Sequence, residues 1–224
     1  MENYKKILLG LLLLTISVGG YFWFNRSVNQ NAVLDIKDPF AGLKVPSGLD
    51  EPTKALYEEK FTLTKEMYEK QPDIWETWVA IGNIKSLFGD QEGALAAYQQ
   101  SVSLQPNNIV AERNIAVMYA DHFKDYERAA AHYRAAIRNE VNNVELYINL
   151  IMIEWKELDD LATAESTLQT GLTKTRYHYD LVRLAGQFYR ETGSLAKAEE
   201  YEKALTKMPR PSEPTPAVLG IPGN

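Results

Sequence analysis

The chain has 224 residues, of which 45% are hydrophobic and 24% charged, with a formal net charge of −6 and a pI near 5.2. That length suits one domain of ordinary size with added segments, and the acidic balance excludes a general nucleic-acid binder, which needs a basic face to displace counterions. No cysteine is present, so disulfides, thiolate catalysis, cysteine-held metals and lipid attachment through an N-terminal cysteine are excluded as well.

A short polar flank, residues 1–6, precedes an uncharged run from residue 7 to residue 24 that ends in Tyr21, Phe22, Trp23 and Phe24. As a helix, eighteen residues rise roughly 27 Å, close to the ~30 Å hydrocarbon core of a bilayer. The aromatic end suits the membrane–water boundary. The run reads as a single membrane-spanning anchor. A cleaved signal peptide is the rival reading, because Lys5 and Lys6 precede the run and Val18-Gly19-Gly20 offers a small-residue cleavage site. A buried soluble helix is the third. We favour the anchor because the apolar run continues past that site. Positive charge is denser before the span than after it, which predicts a cytoplasmic N-terminus and an extracytoplasmic domain, periplasmic or extracellular. Cleavage would instead give a secreted protein.

Residues 25–51 contain Asn, Ser, Gly, Pro39 and Pro46 with no sustained period, and read as a flexible linker in which Phe40 and Leu43 are incidental apolar spots. Residues 52–72 read as one amphipathic helix: Pro52 suits a first turn, and Tyr57, Phe61 and Tyr68 recur at near-helical spacing. This helix is a cap, or the second helix of a worn repeat.

From residue 75 the sequence repeats. Trp78, Ile81 and Gly82 are followed by a Gly89-Asp90 break, then Ala94, Tyr98 and Ser101, then Pro106. The alanines Ala94, Ala129, Ala164 and Ala198 stand 35, 35 and 34 residues apart. The pattern resembles the tetratricopeptide repeat, with units at 75–108, 109–143, 144–178 and 179–208. The second and third units are one residue longer at the inner turn. The resemblance implies an all-α fold, a right-handed superhelix of about four helix pairs following the capping helix, because one pair cannot bury its apolar face alone. Glu199, Glu200, Glu202, Lys203 and Lys207 give the last helix a polar face that can end the stack. Five prolines between Pro209 and Pro222 mark residues 209–224 as a disordered tail.

No catalytic constellation accompanies the repeat. His122, His132 and His178 are scattered, and no phosphate-cradling loop or nucleophile motif occurs. The chain is therefore read as a non-enzyme without cofactor or metal. The resemblance implies a concave groove lined by the first helix of each pair, holding an extended or helical segment of a partner protein. Carried onto this chain, the candidate groove residues are Asn83, Arg113, Asn114, Asn149, Met152, Trp155, Arg183, Gln187 and Arg190. Asn114 and Asn149 either grip a peptide backbone or serve packing. Trp155 is an apolar anchor or core filler. The arginines pair with an acidic ligand or with carboxylates of the domain itself. The whole reads as a membrane-tethered scaffold, in a layout that resembles assembly factors of bacterial envelope machines. The alternative is a structural subunit that uses the groove for self-association or for its own tail, through Val218, Leu219 and Ile221.

Overall fold

The computed structural model describes residues 38–209. The apolar run at 7–24, the linker up to residue 37 and the tail beyond residue 209 lie outside them. Among the described residues there are nine α-helices and no strand. They are α1 (Glu51–Lys70), α2 (Trp75–Leu87), α3 (Gln91–Leu104), α4 (Ile109–Val117), α5 (Tyr126–Asn139), α6 (Val144–Met152), α7 (Leu161–Lys174), α8 (Tyr179–Glu191) and α9 (Leu195–Leu205). None is long and apolar enough to cross a membrane. The chain divides into two compact units between Pro106 and Asn107.

In the first unit, the Asp50 carboxylate caps α1 by accepting from the Thr53 amide at 2.8 Å, which satisfies one of the four free donors at a helix start. Aromatic rings join this helix to the pair that follows. Tyr57 and Phe61 lie 5.5 and 5.8 Å from Phe88, and Tyr68 packs edge-on against Trp78 at 5.9 Å. Phe40 completes the cluster, edge-on to Phe61 and Tyr68 at 5.6 and 5.8 Å, with Leu43 packed beside it. This corrects the reading of Phe40 and Leu43 as incidental: residues 38–43 form a plug, not part of a free linker. A lone aromatic between Pro39 and Gly42 carries no periodic signal, and so its burial had no trace in the pattern.

The helix pair α2–α3 closes because Gly82 has no side chain. A Cβ at that position would overlap the ring of Tyr98, which is buried and donates to Asn83 Oδ1 at 2.8 Å. Trp78 fills the other end, donating Nε1–H to the Pro72 carbonyl at 2.7 Å, and Ser101 Oγ donates to the Trp75 carbonyl at 3.0 Å.

The second unit carries three more pairs, α4–α5, α6–α7 and α8–α9. Asn108 and Asn143 cap the first helices of two of them, and Asp125 and Asp160 cap the second helices, as Asp90 does in the first unit. These caps fall 35 residues apart, the same step as the alanines, and Ala94, Ala129, Ala164 and Ala198 are all fully buried.

The extra residue in units two and three has a definite address. Helix α4 continues into a π-helical turn at Met118–Phe123, and α6 into one at Ile153–Glu157. A π turn holds one more residue than an α turn. The closing hydrogen bonds count it directly. Asp90 N–H reaches back five residues to the Lys85 carbonyl, and Ser194 five to Tyr189, whereas Asp125 reaches six to Tyr119 and Asp160 six to Glu154. The residue before each cap is left-handed in all four units: Gly89 and Gly193 at φ +82° and +84°, Lys124 and Asp159 at +53° and +52°. Glycine tolerates that region freely; Lys124 and Asp159 hold it against a steric cost.

Size is balanced across two of the pairs. In unit three, Gly171 on α7 makes room for Tyr147 on α6, the reverse of Gly82 with Tyr98. In unit two, Glu112 stands where Trp78 and Tyr147 stand in their own units, and His132 meets it with Nδ1 at 2.6 Å while stacking on Tyr119. One buried charge is less well matched. Glu154 is 0% exposed; its Oε1 accepts from Arg134 at 2.6 Å, and its Oε2 has no protein partner.

Two outcomes follow for stability. Gly82→Ala forces the Tyr98 ring out of its seat and costs about 1–3 kcal/mol, read as a lower denaturant midpoint. Arg134→Met leaves Glu154 buried and uncompensated and costs about 3–5 kcal/mol, whereas Arg134→Met with Glu154→Met recovers most of the loss, since an apolar pair replaces a buried ion pair at little cost. A double variant no more stable than Arg134→Met would show that the pair is not what holds α5 to α6.

Candidate partner-binding face

The candidate residues lie on the first helices of the pairs, and the repeat step decides their register. Asn83 belongs to the first unit, on α2, where it is exposed and accepts from Tyr98. The other eight belong to the second unit, on α4, α6 with its π turn, and α8. Neighbouring first helices there are laced by ion pairs. Arg113 on α4 reaches Glu145 at 3.3 Å, and Lys156 after α6 pairs with Glu191 at the end of α8.

The arginines already have carboxylates within the chain. Arg113 pairs with Glu145, Arg183 with Asp180 at 3.7 Å, and Arg190 grips Glu202 through Nε and Nη2 at 2.6–2.8 Å. Gln187 donates to Glu191 at 2.9 Å. The members of these pairs are roughly half exposed. Exposed pairs are worth about 0.2–1 kcal/mol, so a ligand carboxylate can displace an internal one at little cost. Arg190 is the best held of the three, because Glu202 meets the guanidinium with two donors.

Asn114 and Asn149 are half-buried. Asn149 lies beside the hydroxyl of Tyr133 on α5. Burial, together with the nearby charges of Asp121 and Glu145, pushes that hydroxyl's pKa up to about 12. Met152 is half-buried against the core. Trp155 is 5% exposed, edge-on to Phe188 at 5.1 Å, with the Lys156 ammonium 3.5 Å from its ring centroid. The indole fills the core and is closed over by a cation–π contact; its ring is not on the surface.

The π turns add residues that sequence reasoning passed over. Between them lies a hollow of about 150 Å³ whose rim includes Asp121, Lys124, Tyr126, Met152, Lys156 and Glu157. Glu157 accepts a hydrogen bond from the Tyr126 hydroxyl, which raises that group's pKa. The only sequence signal for this hollow was the one-residue excess at the two inner turns.

Comparison with known proteins supports the fold. Residues 76–108 match the family model described as tetratricopeptide repeat. No curated protein matches the sequence. Solved structures do match by fold. A crystal structure of MamA is 15% identical, with 70% of this chain and 94% of that one covered at a TM-score of 0.57. MamA 41-end from Desulfovibrio magneticus RS-1 is 15% identical, with coverage of 69% and 86% at 0.56. YrrB, titled a TPR protein with an unusual peptide-binding site, is 20% identical, with coverage of 64% and 73% at 0.53. Residues 76–108 thus carry a tetratricopeptide repeat, and the 35-residue step, the capped inner turns and the likeness to solved structures give the described chain the fold of such repeats.

Proposed function

We propose that this chain is a scaffold that holds an extended or helical segment of a partner protein along the first-helix face of its second unit, and that residues 7–24 tether it to a membrane with the repeats on the extracytoplasmic side. Protein–protein interaction is the general use of the fold. The observation that carries the finer reading is the chemistry of the face itself. Arg113, Arg183, Gln187 and Arg190 are solvent-accessible along α4 and α8, and each is held only by an exposed internal carboxylate or amide contact that a ligand can replace. Such a face favours a partner segment bearing acidic side chains. Met152 supplies an apolar contact midway. YrrB, similar by fold, is described as binding a peptide, which is compatible with this use. Tethering would raise the local concentration of a bound client at the membrane, as an assembly factor for an envelope complex requires.

Two measurements test the proposal. A photo-reactive residue at Gln187, in the full chain in its native membrane, should crosslink one client protein. Arg113→Glu with Arg183→Glu should cut that product at least fivefold, while a probe at Arg138, on a second helix, yields none. Equal labelling from both positions would place the client elsewhere. Separately, the full chain should stay with the membrane after alkaline carbonate washing, and a chain lacking residues 2–26 should be released; retention of the shortened chain would refute the anchor.

A further inference from the structure

The last helix pair carries an apolar cleft that the first-helix face does not include. It measures about 290 Å³ and is lined by Tyr177, Val182, Glu200, Tyr201, Ala204 and Met208. Its origin lies in the repeat register. Val182 occupies the position that Trp78 and Tyr147 occupy in units one and three. Each of those rings fills its own pair: Trp78 is buried and bonded to Pro72, and Tyr147 is seated on Gly171 and donates to the Val141 carbonyl at 3.2 Å. Val182 is buried too, but it is several carbons smaller, and a hollow stands above it.

The rim is unusual in two respects. Arg176 and Tyr177 both sit in the left-handed region, at φ +55° and +57°, a costly conformation for residues with side chains. It is secured by the Tyr177 amide donating to the Leu172 carbonyl at 2.6 Å. The result is a tyrosine that stands 54% exposed beside the cleft. The other wall runs from Tyr201 on α9 through the tight turn after Leu205 to Met208, on the order of 10 Å, and the described chain leaves from Pro209, next to Met208.

We propose that the chain's own segment Val218–Ile221 fills this cleft. The sequence after Pro209 supplies a matched occupant. Residues 210–216 are polar or proline, and the apolar residues Ala217, Val218, Leu219 and Ile221 follow together. At ~3.1 Å per residue in a polyproline path, the nine steps from Pro209 to Val218 span roughly 28 Å. Doubled back, that length reaches about 14 Å, enough to return along the 10 Å wall and set the aliphatic group over Val182. Aliphatic side chains of the tail would then take the volume that an aromatic ring takes in units one and three.

The absence of cysteine permits a direct test in the full chain. Ala204→Cys with Leu219→Cys joins the cleft wall to the tail; Thr206→Cys with Leu219→Cys joins the cap residue just past the end of α9, which does not line the cleft, at nearly the same sequence separation. Both Ala204 and Thr206 are exposed, so neither change threatens folding. Under mild oxidation at low protein concentration, the first pair should close an intramolecular disulfide at least tenfold faster than the second. Val218→Asp with Ile221→Asp should remove that advantage. Equal rates for the two pairs overturn the proposal. So does a disulfide that doubles the chain mass, which would assign the cleft to the tail of a second copy.

Discussion

A large side chain seated on a small one closes the first and third helix pairs, and the packing of the repeat depends on that match. Tyr98 requires Gly82, and Tyr147 requires Gly171. The ring comes from the second helix in one unit and from the first in the other, so the constraint is on the sum of volumes at two facing positions, not on either identity. Interiors are packed too densely to accept an unbalanced change. The step of 34 or 35 residues is the distance over which such a match can be repeated, and it brings the caps, the left-handed turns and the inter-repeat bonds along with it.

The π turns show what happens when length departs from that step. One extra residue in units two and three could have displaced the second helix. It is absorbed where the first helix ends, and Ala129 and Ala164 keep their places in the core. The cost is local: two non-glycine residues in left-handed conformations, and a buried Glu154 with one oxygen unmatched. The return is a pair of turns facing each other across a polar hollow beside the first-helix face. Departures from a repeat and features available for recognition thus coincide.

The repeat was legible in the sequence because its carriers are spaced residues of extreme size: four alanines, Gly82, Trp78 and Tyr98. The extra residue was legible as a count, but a count does not name the hydrogen-bond pattern that takes it up. This is also why Trp155 was drawn to the groove. It lies within the π segment, where one added residue turns the helix face by roughly 100°, and the indole faces the core. Asn149 was legible as a residue with two possible duties, and it lies half-buried beside Tyr133. Phe40 had no periodic neighbours to betray it. The arginines pair with Asp and Glu residues on the same and adjacent helices, which the sequence listed without pairing.

The account's central claim is that the first helices of the second unit, and not the second helices, receive a partner. Amide hydrogen exchange resolves the two directly. The full chain should be measured in its native membrane and again after purification in detergent. The account predicts slower exchange in the native membrane over residues 109–123, 144–157 and 179–191, with residues 126–139 and 161–174 unchanged. Added protection confined to the second helices, or none at all, would contradict it.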